Sequence, residues 1–215
     1  MNFTRKILMS LYDRLYKEYG PQNWWPAESA FEVMVGAILT QNTAWSNVER
    51  AIINLKDRGV LTLDAIDNLD HQELAEFIRP SGYFNIKAQR LKNLCRWTMA
   101  QGGLSSLAQH PTPELRDGLL AVKGVGPETA DDILLYAFNR PVFVIDTYTR
   151  RLLRKLRLIN GNESYETLRS GFESCLNGRE QLYNEYHALI VRHAKQKCTV
   201  EVDCQHCRIE EPIRP

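Results

Sequence analysis

Residues 119–146 read LLAVKGVGPETADDILLYAFNRPVFVID, and this stretch decides the fold. Two helical patterns flank the turn Lys123-Gly124-Val125-Gly126, where two glycines around one small apolar residue permit a tight hairpin. Gly126-Pro127-Glu128 starts the second helix, with proline at its first position and an acid in its first turn. Backbone N–H groups then gather beside a helix N-terminus, an arrangement suited to a phosphate and to gripping a nucleic-acid backbone without reading its sequence. The plainer reading is that Gly-Val-Gly joins two packed helices, since short glycine motifs are common. Asp146, which opens the next helix, reads on its own as a cap.

Outward from this hairpin, apolar residues recur at spacings of three and four along almost the whole chain, and no stretch sustains the alternation of half-buried strands. The pattern predicts an all-α fold with helices over 4–19, 30–40, 45–57, 63–68, 71–78, 85–101, 113–121, 127–138, 146–156, 165–176 and 181–197. Gly20-Pro21, Pro80-Ser81-Gly82, Gly102-Gly103, Arg140-Pro141 and Asn160-Gly161-Asn162 punctuate them. No long linker or repeat intervenes. Two helical lobes are expected, one over 21–136 carrying the hairpin and one combining 1–20 with 137–215, with a cleft between them.

Of 215 residues, 44% are apolar and 25% charged, the balance of a globular chain rather than a disordered or collagen-like one. No apolar run is long enough to cross a bilayer, and the N-terminus lacks a small-residue cleavage site, so a cytoplasmic, membrane-free protein is expected. With 27 Lys+Arg against 26 Asp+Glu, a nucleic-acid role needs a local patch. Arg150, Arg151, Arg154, Lys155 and Arg157 offer one, interleaved with Leu152, Leu153 and Leu156. The five cysteines include three in the last eighteen residues, Cys198, Cys204 and Cys207, which suits a metal site in a reducing compartment better than a disulfide framework. Cys95 reads as a buried apolar residue, and His187 as a packed one.

Extended to PVFVIDTYTRRLL, and joined upstream by FEVMVGAILTQNT (31–43) and SGYFNIKAQRL (81–91), the sequence resembles the helix-hairpin-helix (HhH-GPD) DNA glycosylases related to endonuclease III. The likeness covers most of the chain. It implies a two-lobed helical enzyme of base excision repair that binds double-stranded DNA as a monomer near the nucleoid and extrudes a damaged base. Asp146, in the phrase Val144-Ile145-Asp146-Thr147, takes the place of the family's essential aspartate. The resemblance assigns DNA contacts to Lys123, Gly124, Val125 and Gly126, gap filling to Gln41, and wedging of the opposite strand to Tyr83, while Arg150 and Arg151 are expected to meet phosphate because the basic run lies beside Asp146.

One position departs from the strand-cleaving members. They carry a lysine nucleophile two residues past the second hairpin glycine, where this chain has Glu128, and a carboxylate cannot form an imine. Hydrolysis of the base–sugar bond by water is therefore expected, with Asp146 stabilising a cation-like sugar. Glu128 reads either as a helix N-terminal acid or as a second polar group at the site. Trp24, Trp25 and Trp45, in the phrases NWWP and QNTAW, resemble the endonuclease III-like 3-methyladenine glycosylases, in which aromatic rings stack on a cationic alkylpurine. Lys195 is placed at the border of that base pocket. A bifunctional glycosylase/lyase, an adenine-mismatch glycosylase and a catalytically silent damaged-DNA binder are the competing readings.

The same relatives hold a [4Fe–4S] cluster with four tail cysteines. Here the fourth is replaced by Ile213, so the chemistry is expected to need no cofactor. The tail reads as a degenerate remnant. An intact [4Fe–4S] cluster, completion of a zinc site by His206 or His193, and a contribution from Cys175 are the alternatives.

Overall fold

The computed structural model describes residues 3–198. Among them there are helices and connecting turns but no strand. The helices are α1 (Arg5–Tyr19), α2 (Ala30–Leu39), α3 (Trp45–Asp57), α4 (Leu63–Asn68), α5 (His71–Phe77), α6 (Phe84–Ala100), α7 (Leu104–Leu107), α8 (Thr112–Ala121), α9 (Pro127–Asp132), α10 (Thr147–Lys155), α11 (Tyr165–Leu176) and α12 (Glu180–Lys197). None of the described helices is long and apolar enough to cross a membrane.

Local chemistry sets many of the helix starts. The hydroxyls of Thr4, Ser29, Thr62 and Ser164 and the carboxylates of Asp70 and Asp146 each accept a backbone N–H in the first turn that follows. Such caps satisfy donors that have no partner within the helix and contribute about 0.5–2 kcal/mol each. Helix α8 differs from expectation: it begins at Thr112, with Pro111 at the cap position and no side-chain cap bond.

The chain forms two compact units, 1–26 with 141–215 and 27–140. These bounds lie a few residues beyond the expected 21–136. The reason is local, because the segment after α1 is tied to α12: the Gln22 amide N–H donates to Glu185 (2.8 Å), and Arg192 donates to the Gln22 side-chain oxygen (3.0 Å). Trp24, Trp25 and Pro26 therefore travel with the terminal unit.

The terminal unit is built on α1, α10, α11 and α12. Its core combines Leu8, Leu11 and Leu15 with an aromatic cluster in which Phe143 stacks on Phe172 at 4.1 Å and meets Tyr183 and Tyr186 edge-on. The buried Tyr186 hydroxyl donates to the Leu8 carbonyl at 2.8 Å, so the ring fills the core without leaving its polar end unsatisfied. The extended run Val142–Ile145 is wholly buried and delivers Asp146 to the start of α10.

In the other unit α2 is the central helix. Its residues Phe31–Leu39 are all buried, as an almost uniformly apolar helix requires. The one acid among them, Glu32, pairs with Lys56 at 2.9 Å and accepts the Glu28 N–H, so its charge is compensated. The helix expected over 127–138 is α-helical only to Asp132 and continues as a π-helix over Ile133–Ala137. Helix α7 and the 3₁₀ turn Arg79–Ser81 were not expected; each is too short for a periodic apolar signal.

Candidate functional site

Asp146 lies just outside α10 as its N-cap, its Oδ1 accepting the Thr149 N–H at 2.7 Å. Oδ2 faces His187 Nε2 of α12 at 3.6 Å, the two side chains being 12% and 7% exposed. Burial alone would raise the carboxyl pKa, but His187 and Thr149 together outweigh it and hold the group below its ordinary value. Asp146 is thus a nearly buried carboxylate kept ionised at neutral pH. Two of its roughly four lone-pair directions are engaged, so capping leaves it able to face another positive or protic group. The cap of α10 is thus the same residue that the sequence offers as the reactive carboxylate, and α12 supplies the histidine that accompanies it.

Two residues further on, Tyr148 is flanked by two cations: Lys195 Nζ lies 5.4 Å and the Arg151 guanidinium 5.5 Å from its ring centre. Lys195 is exposed, Arg151 also donates to the Cys198 carbonyl at 3.1 Å, and Arg150 donates to the Glu163 carbonyl at 2.9 Å. Each expected arginine therefore has one donor directed into the protein. Trp24 and Trp25 are half-buried and meet edge-to-face at 5.7 Å and 61°. Rings at that angle do not make two parallel walls, so a flat ligand could lie on the face of only one of them.

The remaining expected residues belong to the 27–140 unit. Gly124 has φ +103°, and a Cβ there would stand 2.3 Å from Arg90 Cγ, so both backbone and packing demand glycine. Val125 is buried, Lys123 is exposed, and Gly126 is the N-cap of α9. Glu128 is exposed in the first turn of α9, where a negative charge suits the helix dipole. Trp45 is half-buried as the first residue of α3. The Gln41 side chain donates to the Gly124 carbonyl (3.1 Å) and Thr129 Oγ1 (3.0 Å) and accepts from Arg90. Tyr83 is 68% exposed at φ +46°, a left-handed conformation unusual for a bulky side chain.

Two groups have surroundings that no spacing in the sequence reveals. The first is His187, expected only as a packed residue, which approaches Asp146 across forty-one positions of chain. The second is Lys87, fully buried in α6, whose ammonium donates to the Leu39 carbonyl (2.8 Å), Thr43 Oγ1 (3.0 Å) and the Ser81 carbonyl (2.7 Å). Burial and the neighbouring Arg90 push its pKa down to about 8. The signal in the sequence was a lysine in an otherwise buried register of α6.

Cys198 is buried at the end of α12, while Cys204 and Cys207 lie outside the described residues. Among the described residues no three of His, Cys, Asp and Glu are grouped to hold a metal ion. Three tail thiolates fall short of the four that a [4Fe–4S] cluster ordinarily takes, so no chemical step is assigned to one.

Comparison with known proteins adds the ancestry. Residues 35–177 match the model of the HhH-GPD superfamily of base excision DNA repair proteins. A Methanocaldococcus jannaschii protein, named provisionally as a DNA repair glycosylase, is 46% identical over 96% of this chain and 95% of its own. Endonuclease III of Sulfolobus acidocaldarius is 29% identical over 85% of this chain and 81% of its own. Among solved structures, the 3-methyladenine DNA glycosylase MagIII of H. pylori, bound to 1,N6-ethenoadenine, superposes with a TM-score of 0.78 at 34% identity, covering 91% of this chain and 99% of that one. An endonuclease III–DNA complex gives 0.81 at 19% identity, covering 96% and 94%, a likeness of fold.

Proposed function

Because the chain belongs to the HhH-GPD superfamily and is a DNA glycosylase of base excision repair, we propose that it is a monofunctional one, which hydrolyses the N-glycosidic bond of an extruded alkylated purine such as 3-methyladenine in double-stranded DNA. The observation that carries this reading is Asp146, a carboxylate held ionised in a largely dry setting. Loss of the base leaves positive charge on the sugar. A carboxylate about 4 Å away stabilises such a charge by about 4 kcal/mol at an effective dielectric near 20. The same oxygen pair orients the attacking water and takes its proton.

Absence of a lyase step rests on the available amines. Glu128 stands where a nucleophilic lysine would attack the sugar, and its carboxylate forms no imine. Lys87 is buried with an acceptor for each of its three donors. Lys123 lies on the other side of the hairpin turn, where phosphate contact is its simpler role.

Preference for an alkylated purine is supported by the half-buried Trp24, Trp25 and Trp45, since a ring face attracts a cationic base. Such a base also leaves without strong protonation, which suits a site whose prominent group is an anion. The likeness to MagIII points the same way.

Incubation with methylated duplex DNA, followed by chromatography of the released bases, tests the reading. Release of 3-methyladenine by the wild type and its loss in Asp146→Asn, with DNA affinity retained, are expected. Release of oxidised pyrimidines alone would reject the substrate class. A borohydride-stable protein–DNA adduct would reject the monofunctional assignment.

A further inference from the structure

Three segments far apart in the chain, 41–43, 81–83 and 123–126, meet one face of α6. Lys87 fastens the first to the second. Its ammonium binds the Leu39 carbonyl just before Gln41, the Thr43 hydroxyl and the Ser81 carbonyl, and the Thr43 hydroxyl itself donates to Ser81. One turn further along, Arg90 fastens the first to the third: its guanidinium donates to Gln41, whose amide donates to Gly124. The stem of Arg90 also lies against Gly124, where an added Cβ would stand 2.3 Å from Arg90 Cγ. One turn beyond, Asn93 donates to the Lys123 carbonyl at 3.0 Å. Residues 87, 90 and 93 follow the three-residue spacing that keeps side chains on one side of a helix.

A buried ammonium is an expensive way to hold loops. Removing it from water costs several kcal/mol before its acceptors compensate, and an apolar side chain would fill the space at lower cost. What an ammonium supplies that a methyl group does not is three directed bonds to three chosen oxygens. Its target at Ser81 is one residue from Gly82 and Tyr83, consecutive residues at positive φ, and Tyr83 presents a 68% exposed ring. The left-handed turn fixes the backbone that carries this ring before it meets anything, and ordering in advance reduces the entropy lost on binding.

We propose that Lys87 is a positioning residue which, with Arg90 and Asn93 on the same face of α6, sets the Gln41 segment, the Tyr83 turn and the glycine hairpin in mutual register, so that Tyr83 enters the duplex as a pre-ordered wedge. The wedge part rests on the DNA-glycosylase reading above; the register part does not.

Hydrogen exchange without DNA tests the register, and fluorescence with DNA tests the wedge. In Lys87→Met, a substitution of similar length, the amides of 41–43 and 81–83 are expected to exchange at least tenfold faster while those of Met34–Ile38 are unchanged. Bound to a duplex with 2-aminopurine opposite an abasic-site analogue, the wild type is expected to raise the emission as the probe base unstacks. Lys87→Met is expected to lose most of that rise when the protein is titrated to saturation of the duplex. Unchanged exchange overturns the register, and raised exchange with an intact emission rise overturns its link to wedging. A wild type giving no emission rise refutes the underlying DNA reading instead, a result separable because exchange is measured on the protein alone. Should Lys87→Met not fold, Thr43→Val removes one acceptor and leaves both carbonyls. It is expected to raise exchange about threefold at 41–43 and 81–83, and no change there would equally overturn the register.

Discussion

Replacing Gly124 by alanine should be costly, whereas the same change two residues on, at Gly126, should not. Gly124 has φ +103°, and a non-glycine residue in the positive-φ half of the map costs about 1–2 kcal/mol in backbone energy. Its Cβ would stand 2.3 Å from Arg90 Cγ and 3.2 Å from Arg90 Cβ. These atoms are near the root of the side chain, so relief requires the whole arginine to move and to release Gln41. Overpacking of this kind adds about 1–3 kcal/mol. The sum is about 2–5 kcal/mol, or a fall in melting temperature of about 4–20 °C at 2–4 °C per kcal/mol for a chain of this size. Gly126 has φ −98°, and a methyl group added there would meet nothing within 4 Å. There alanine should be neutral or stabilising by about 0.4–1 kcal/mol through the unfolded chain. Urea denaturation of the two variants checks this, and equal midpoints would refute the account of why the hairpin is glycine-rich. If the open space at Gly126 receives a phosphate, Gly126→Ala should also weaken duplex binding while leaving stability intact.

Asp146 carries a pH signature. Its native pKa lies below the ordinary 3.8, so its contribution to stability is complete above that value and is lost as the pH falls through the depressed native one. Asparagine keeps a capping oxygen but does not ionise, so the stability difference between wild type and Asp146→Asn should shrink in urea titrations as the pH falls below 3.8. The Cys95 thiol is fully buried and pushed up to about 12. At pH 8 its thiolate fraction is about one in ten thousand, so iodoacetamide should label it only after unfolding; rapid labelling of native protein would contradict the burial. Phe143→Ala removes a ring stacked at 4.1 Å on Phe172 in the core of the terminal unit and should cost about 3–5 kcal/mol by thermal or urea unfolding. Purified protein should hold less than stoichiometric iron by elemental determination, because Ile213 stands where a fourth cysteine ligand would be; a full cluster of four irons per chain would point to a different ligand.

Much of the fold is legible in the order of residues. Apolar spacing at three and four locates eleven helices because burial on one face is a local property of a helix, visible along the chain. Thr4, Ser29 and Ser164 mark starts for a similarly local reason, the reach of a short oxygen to the next turn. Single turns such as α7, and the π-helix at 133–137, escape this logic, since one turn is shorter than the period and a widened turn preserves the apolar content. The site divides along the same line. The chemical type of Asp146, the glycine hairpin and the acid at position 128 are written in residue identity. What surrounds them is not: that His187 reaches Asp146, that Gln41 is turned onto the Gly124 carbonyl, and that the two tryptophans meet at an angle.

Sequence alone determined that this chain folds into helices, that it belongs among proteins with a hairpin and a following aspartate, and that no amine stands at position 128. Tertiary structure decided which side chains share a space, above all that Lys87 is buried with three oxygens drawn from residues 39, 43 and 81. The physical reason is that a helix or a cap depends on neighbours within about four residues, whereas an ion's environment depends on which distant carbonyls the packing brings within hydrogen-bond reach.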